Sequence, residues 1–180
     1  VLLRGADGFS GEVGHMPVDP RGIECACGRI GCWETKVGLA VLVANAAPDL
    51  AYGRGPVREV DELLSEILRR ADAGDKAAIA AFEDVGRWLG LGASILVNLF
   101  NPRVLVVGGY FAQVAGRVLP TAQRELDRLA MAGPASGCEV VVSTLAFGAA
   151  VRGGAGLAVE AVLTDPTAIA PLPLRLAQGQ

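Results

Sequence analysis

Three cysteines within eight residues, Cys25, Cys27 and Cys32, follow the chain's single histidine, His15. The spacing His15-x9-Cys25-x-Cys27-x4-Cys32 supplies three sulfurs and one imidazole nitrogen, a set that Zn²⁺ takes in tetrahedral structural sites. Gly28 and Gly31 stand between the last two cysteines, where the chain must fold back tightly for the thiolates to converge. Four protein ligands leave no open coordination position, so a metal held here is structural rather than hydrolytic. The other reading of these residues is a reduced thiol cluster, or a disulfide, beside an unrelated histidine. The fourth cysteine, Cys138, lies far off. Such clustering fits metal ligation in a reducing compartment better than the spread-out cysteines of a secreted disulfide scaffold.

Two carboxylates flank the cluster: Glu12 three residues before His15, and Glu34 two after Cys32. A metal knuckle would fix both. A carboxylate suits a sugar because it accepts hydrogen bonds from two neighbouring hydroxyls; otherwise both are solvated charges. Trp33 is either a flat face for a sugar or a core residue. Farther along, Gly108-Gly109 follows an apolar run and precedes a helical pattern, so backbone N–H groups at a helix start could meet an anion, or the pair simply makes a tight turn.

The elements that must position these groups read as follows. Residues 5–14 hold four glycines and form a loop of unusual backbone geometry. A short strand is expected from Met16 to Asp19, then the knuckle, then a helix from Trp33 to Ala47 ended by Pro48. An amphipathic helix over Glu59–Ala73 closes at Gly74. Asp75 caps a long helix, 76–100, whose Gly86, Gly90 and Gly92 would admit another backbone. Val104-Leu105-Val106-Val107 reads as a strand covered on both faces. A helix over 111–131, a strand over Glu139–Thr144 and a helix near 149–163 complete the pattern. This alternation predicts an α/β fold, a largely parallel sheet with helices on both faces plus the zinc knuckle at 15–34. Residues 164–180, rich in Pro, Ala and Leu, read as a weakly ordered tail.

The 180 residues carry a net charge of −3 and 52% hydrophobic residues, which describes a globular domain without the basic footprint of a phosphate-backbone binder. Charges at Arg4, Asp7 and Glu12 do not fit a signal peptide, and the uncharged stretch from Trp88 to Phe100 includes Asn98 and is too short to span a bilayer. A cytoplasmic protein with no membrane partner is expected. Because Val1-Leu2-Leu3 opens like the middle of a strand, the chain reads as the carboxyl-terminal part of something longer.

Gly11-Glu12-Val13-Gly14-His15-Met16, with Cys25-x-Cys27-Gly28-x-x-Gly31-Cys32-x-Glu34, resembles the signature of the ROK family of repressors, open reading frames and sugar kinases. Asn98-Leu99-Phe100-Asn101-Pro102 and Val104 to Gly109 resemble its later strand and diglycine turn. The match runs over residues 1–163. The resemblance implies an actin-like, ribonuclease-H-like fold, with this chain most of the carboxyl-terminal lobe. It implies Zn²⁺ on His15, Cys25, Cys27 and Cys32, and a monosaccharide on Glu12, His15 and Glu34, with His15 using one ring nitrogen for each task. Gly108 and Gly109 match the place where kinase members approach the nucleotide.

Kinase members keep their first phosphate loop and catalytic aspartate upstream of this region, and neither Asp7 nor Asp19 matches that aspartate. Without a general base for the sugar hydroxyl, this chain alone is not expected to transfer a phosphoryl group. Gly31-Cys32-Trp33-Glu34-Thr35 and Gly108-Gly109-Tyr110-Phe111-Ala112 resemble the versions in actinobacterial ROK transcriptional regulators, and Tyr110 would crowd a nucleotide unless its ring turns away. The expectation is a sugar-sensing effector domain, homodimeric, reaching DNA only through an amino-terminal domain outside this chain. The alternatives are the carboxyl-terminal lobe of a glucokinase-like sugar kinase using ATP and Mg²⁺, and a purely structural zinc module for oligomerisation.

Overall fold

In chain order the helices are α1 (Glu34–Val37), α2 (Leu39–Ala46), α3 (Val60–Asp72), α4 (Lys76–Phe100), α5 (Phe111–Leu129) and α6 (Ala149–Thr164), and the strands are β1 (Val104–Val107) and β2 (Glu139–Val142). The computed structural model describes residues 3, 5–50, 59–131 and 137–168. The tail expected at 164–180 therefore falls outside the described residues from 169 onward.

α4 is the spine. The Asp75 carboxylate accepts from the N–H groups of Ala77 and Ala78, at 2.8 and 3.2 Å, satisfying donors that a helix start leaves orphaned. Asn101 ends the helix in the left-handed region, at φ 46°, a conformation Asn tolerates better than most residues. Along its length α4 lies against α5 because its glycines remove side-chain bulk. A Cβ on Gly86 would sit 2.9 Å from the Val118 carbonyl oxygen, and one on Gly90 would sit 2.5 Å from that of Ala122. Around this contact Leu42, Val43, Leu64, Ile67, Phe82, Val85, Val114 and Val118 form the main core.

β1 and β2 pair in parallel, Val104 opposite Glu139 through Val107 opposite Val142, as the alternating pattern requires. Gln123 of α5 closes the outer edge of β2, accepting from the Val140 N–H at 3.0 Å and donating to the Cys138 carbonyl at 3.2 Å, much as a neighbouring strand would. Helices cover one face of this pair. On the other, Val104 and Val106 are 47% and 64% exposed, so among the described residues β1 is not covered on both faces. From Ala150 to Thr164 every residue of α6 is exposed; a helix apolar nearly all round needs a covering that the described residues do not give it.

Two other expectations are corrected. The segment Met16–Asp19 forms a single antiparallel bridge, Pro17 opposite Cys32, rather than a strand. Pro17 has no N–H to extend a ladder, and the N–H groups of Val18 and Asp19 both turn to the Gly31 carbonyl. The helix expected from Trp33 to Ala47 breaks at Gly38, which is extended (φ −70°, ψ 151°). A Cβ there would lie 2.7 Å from the Glu34 carbonyl oxygen.

Candidate functional site

The knuckle is built from backbone turns. Gly28, at φ +82°, lets its N–H reach the Cys25 carbonyl at 2.8 Å, while the Cys25 N–H donates to Arg29 at 2.8 Å. Gly31 has φ +72°, and a Cβ on it would lie 1.7 Å from the Asp19 carbonyl oxygen; no other residue fits. These turns bring His15, Cys25, Cys27 and Cys32 together with ligand atoms all within 4.8 Å of one another. His15 Nδ1 is 3.7 Å from Cys25 Sγ, and Cys27 Sγ is 3.6 Å from Cys32 Sγ. Zinc–sulfur and zinc–nitrogen bonds of about 2.3 and 2.0–2.1 Å in a tetrahedron separate their ligand atoms by about 3.6–3.8 Å. Two of the pairs already match that spacing, and the four residues together could hold a metal ion.

Burial, then the neighbouring thiols, push the Cys32 thiol up to about 11, whereas the Arg29 backbone N–H draws Cys27 down. A divalent cation at their centre would supply the positive charge that deprotonated sulfurs require.

On the other side of the imidazole, His15 Nε2 faces Glu12, with 3.9 Å to its Oε2. Glu34 opens α1, its carboxylate beside Gly14: a Cβ on Gly14 would lie 3.1 Å from Glu34 Oε2. Glu12 and Glu34 are both exposed, Glu12 facing the outward nitrogen of a ring whose inward nitrogen faces Cys25 and Glu34 standing beside the residue that precedes His15. Carboxylates accept hydrogen bonds and a neutral imidazole N–H donates one, chemistry that could meet hydroxyl groups.

α1 is pinned beneath them. The Trp33 indole N–H donates to the Trp88 carbonyl at 2.7 Å, and its ring occupies the space a Cβ on Gly92 would need, 2.0 Å from Cε2. Trp33 is 8% exposed, which makes it the core alternative rather than a sugar platform. Lys36 binds Asp19 at 2.6 Å and lies 4.8 Å above the Trp88 ring. The Lys36 ammonium, then the Arg21 N–H, holds the Asp19 carboxyl below its ordinary range. The sequence alone marks Asp19 as a strand end and as no match to the kinase aspartate; its place between His15 and Cys25 was the one available signal of a part in the knuckle.

The diglycine turn lies elsewhere on the lobe, at the start of α5. Gly109 has φ +62° and open space around its Cα. Tyr110 does not crowd it: the ring is 7% exposed, sits in the main core and stacks on Phe111 at 4.2 Å between centroids. The crowding argument against a nucleotide therefore lapses.

A model of the ROK family matches residues 1–161. The DNA-binding transcriptional dual regulator NagC of Escherichia coli K12 is 32% identical over 145 residues, 80% of this chain and 36% of NagC. A glucokinase of Halalkalibacterium halodurans is 29% identical over 167 residues, 87% of this chain and 49% of the kinase. The crystal structure of a ROK family glucokinase from Streptomyces griseus with glucose and AMPPNP superposes with a TM-score of 0.68 at 32% identity, over 89% of this chain and 55% of that one. The chain spans less than half the length of these two curated relatives. No helix of the described residues is long and apolar enough to cross a membrane. With a family match over nearly its whole length and relatives that include both ROK regulators and ROK kinases, the chain belongs to the ROK family.

Proposed function

We propose that this chain is the sugar-sensing effector lobe of a cytoplasmic ROK transcriptional regulator, binding a monosaccharide beside a structural Zn²⁺. The observation that carries the reading is the two-sided placement of His15, Nδ1 against Cys25 and Nε2 against Glu12. His15, Cys25, Cys27 and Cys32 would hold the ion, which supplies a rigid crosslink and fixes the imidazole tautomer. With Nδ1 committed to the metal, Nε2–H is left as a donor to a sugar hydroxyl. Glu12 and Glu34 accept from neighbouring hydroxyls, their positions set by the short helical turn Val13–His15 and by α1.

Sugar binding would order Glu12 and Glu34 around one ligand and shift the whole protein between DNA-binding and released states, the operator being read by a domain outside this chain. A homodimer belongs to this proposal, supported by exposed apolar side chains such as Leu99 and Phe100, 68% and 59% exposed. Within the family, the choice of regulator rests on the segments 31–35 and 108–112, which resemble regulator versions.

The second reading, the carboxyl-terminal lobe of an ATP-dependent sugar kinase, draws on the open diglycine turn at Gly108 and Gly109 and on the likeness to the Streptomyces griseus glucokinase. One experiment separates them. The full-length protein is assayed for operator binding with and without sugar, and for ATP-dependent hexose phosphorylation. Sugar-sensitive operator binding without turnover supports the regulator; turnover without operator binding installs the kinase. Elemental analysis should give about one zinc per chain, lost with Cys27→Ser; a folded, zinc-free protein would overturn the metal assignment.

A further inference from the structure

The break at Gly38 opens a trough of about 390 Å³ that starts at Glu34 and runs between the outer loop of the knuckle and the start of α2. Its walls are Ile23 and Ala26 on one side and Leu39, Ala40 and Val41 on the other. Ile23 stands 64% exposed at the rim. Glu24 and Glu34 are the charged residues of the lining, both exposed, and the Thr35 hydroxyl is already occupied, donating to the Cys32 carbonyl at 2.7 Å. Beyond those two carboxylates a sugar ring placed in this trough would find few partners for its hydroxyls, and each unpaired hydroxyl costs free energy. An apolar group placed there exchanges water for aliphatic walls. The volume lies within the roughly 300–1,000 Å³ of pockets that take drug-sized ligands.

We propose that this trough is a second compartment of the sugar site and receives an apolar substituent of the bound sugar, so that the ligand class is an aryl or alkyl glycoside rather than a bare monosaccharide. The inference rests on the sugar-binding reading of Glu12, His15 and Glu34, because continuity with Glu34 is what assigns the trough to the same ligand. Glu34 is shared between the two compartments: its carboxylate lies beside Gly14 on the metal side, and its helix forms the floor of the trough.

The test is calorimetry on the zinc-loaded chain. The probes are glucose, galactose, xylose and N-acetylglucosamine, each beside both anomers of its 4-nitrophenyl glycoside. For a sugar that binds, one anomer of the aryl glycoside should bind on the order of tenfold tighter, the scale set by burying a few ring carbons. Ala40→Asp, and Ala26→Asp on the facing wall, should each remove that advantage and leave the affinity for the bare sugar and the zinc content unchanged. Equal affinity for sugar and both glycosides, or an advantage that survives both aspartates, overturns the trough assignment. Aryl glycoside binding that is lost in the aspartate variants but indifferent to Glu34→Ala keeps the trough and removes the sugar-site reading. No binding by any probe in either form overturns both.

Discussion

The Tyr110 hydroxyl donates to the Val37 carbonyl at 2.5 Å, across 73 residues of sequence. It ties the residue after the diglycine turn to the last residue of the helix that Glu34 begins. The break at Gly38 makes the bond possible: the Val41 N–H donates to Gly38, leaving the Val37 carbonyl for a side chain. Burial, then the nearby charge of Glu34, holds the phenol above its ordinary range, so it remains a donor at physiological pH.

Tyr110→Phe keeps the ring in the core and deletes only that donor. This bond is partly buried, and a buried carbonyl left without its partner costs about 1–3 kcal/mol, so thermal or urea unfolding should show a loss towards the lower end of that range. Glu34 should also become less well placed, so sugar affinity should fall while zinc content holds. Unchanged stability would mean that the Val37 carbonyl finds a substitute partner.

Gly92 and Trp33 make the second structural coupling. Alanine raises helix propensity by about 1 kcal/mol over glycine, so Gly92→Ala would stabilise an isolated helix. Here the added Cβ would meet the Trp33 ring at 2.0 Å, and that ring is anchored by its bond to Trp88. Overpacking of about 1–3 kcal/mol or more outweighs the gain, so the variant should melt lower than the wild type. Because Trp33 lies between Cys32 and Glu34, competition with a chelator should also show weakened metal retention. A variant as stable as wild type would place the Trp33 ring elsewhere.

Away from the site, Glu66 makes a pH prediction. Its carboxylate accepts from Arg69 at 2.7 and 2.8 Å and from Arg70 at 2.9 Å, while Arg70 also holds Asp49 at 2.7 Å. The guanidinium of Arg69, then that of Arg70, lowers the Glu66 carboxyl from 4.5 to about 2. A carboxyl depressed in the folded state stabilises above its unfolded value and loses that contribution as pH falls towards the folded one. The stability difference between wild type and Glu66→Gln should therefore be constant above about pH 5 and shrink between about 4.5 and 2. Comparing the two proteins at each pH cancels acid loss at the metal ligands. A difference that widens on acidification would contradict the arrangement.

What the sequence revealed is uneven for physical reasons. The extent of α4 could be read because Asp75 and the apolar pattern are local signals. The clustering of His15, Cys25, Cys27 and Cys32 could be read because their spacing along the chain is itself the signal. The break at Gly38 could not, since a lone glycine is tolerated inside helices and only the anchored turn from Trp33 to Val37 makes it decisive. Nor could the direction of Tyr110, which depends on a carbonyl 73 residues away. The exposed face of β1 was missed because a branched apolar run announces burial without stating which segment supplies the cover.

The last prediction separates metal from ligand. Glu34 opens α1 two residues after Cys32 and is not among the four residues whose ligand atoms cluster. Its loss should leave zinc in place: Glu34→Ala protein should carry about one zinc per chain, with thiols as protected from alkylation as in wild type. A bond from a sugar hydroxyl to a charged carboxylate contributes about 1.5–3 kcal/mol, or roughly ten- to a hundredfold in affinity. The variant should weaken sugar binding by that factor, and in the full-length protein the operator should no longer respond to sugar. His15→Ala should differ in kind, losing metal and sugar together, because its two nitrogens face Cys25 on one side and Glu12 on the other. If Glu34→Ala releases zinc, the carboxylate supports the knuckle itself. If it leaves sugar affinity unchanged, the ligand lies elsewhere on the lobe.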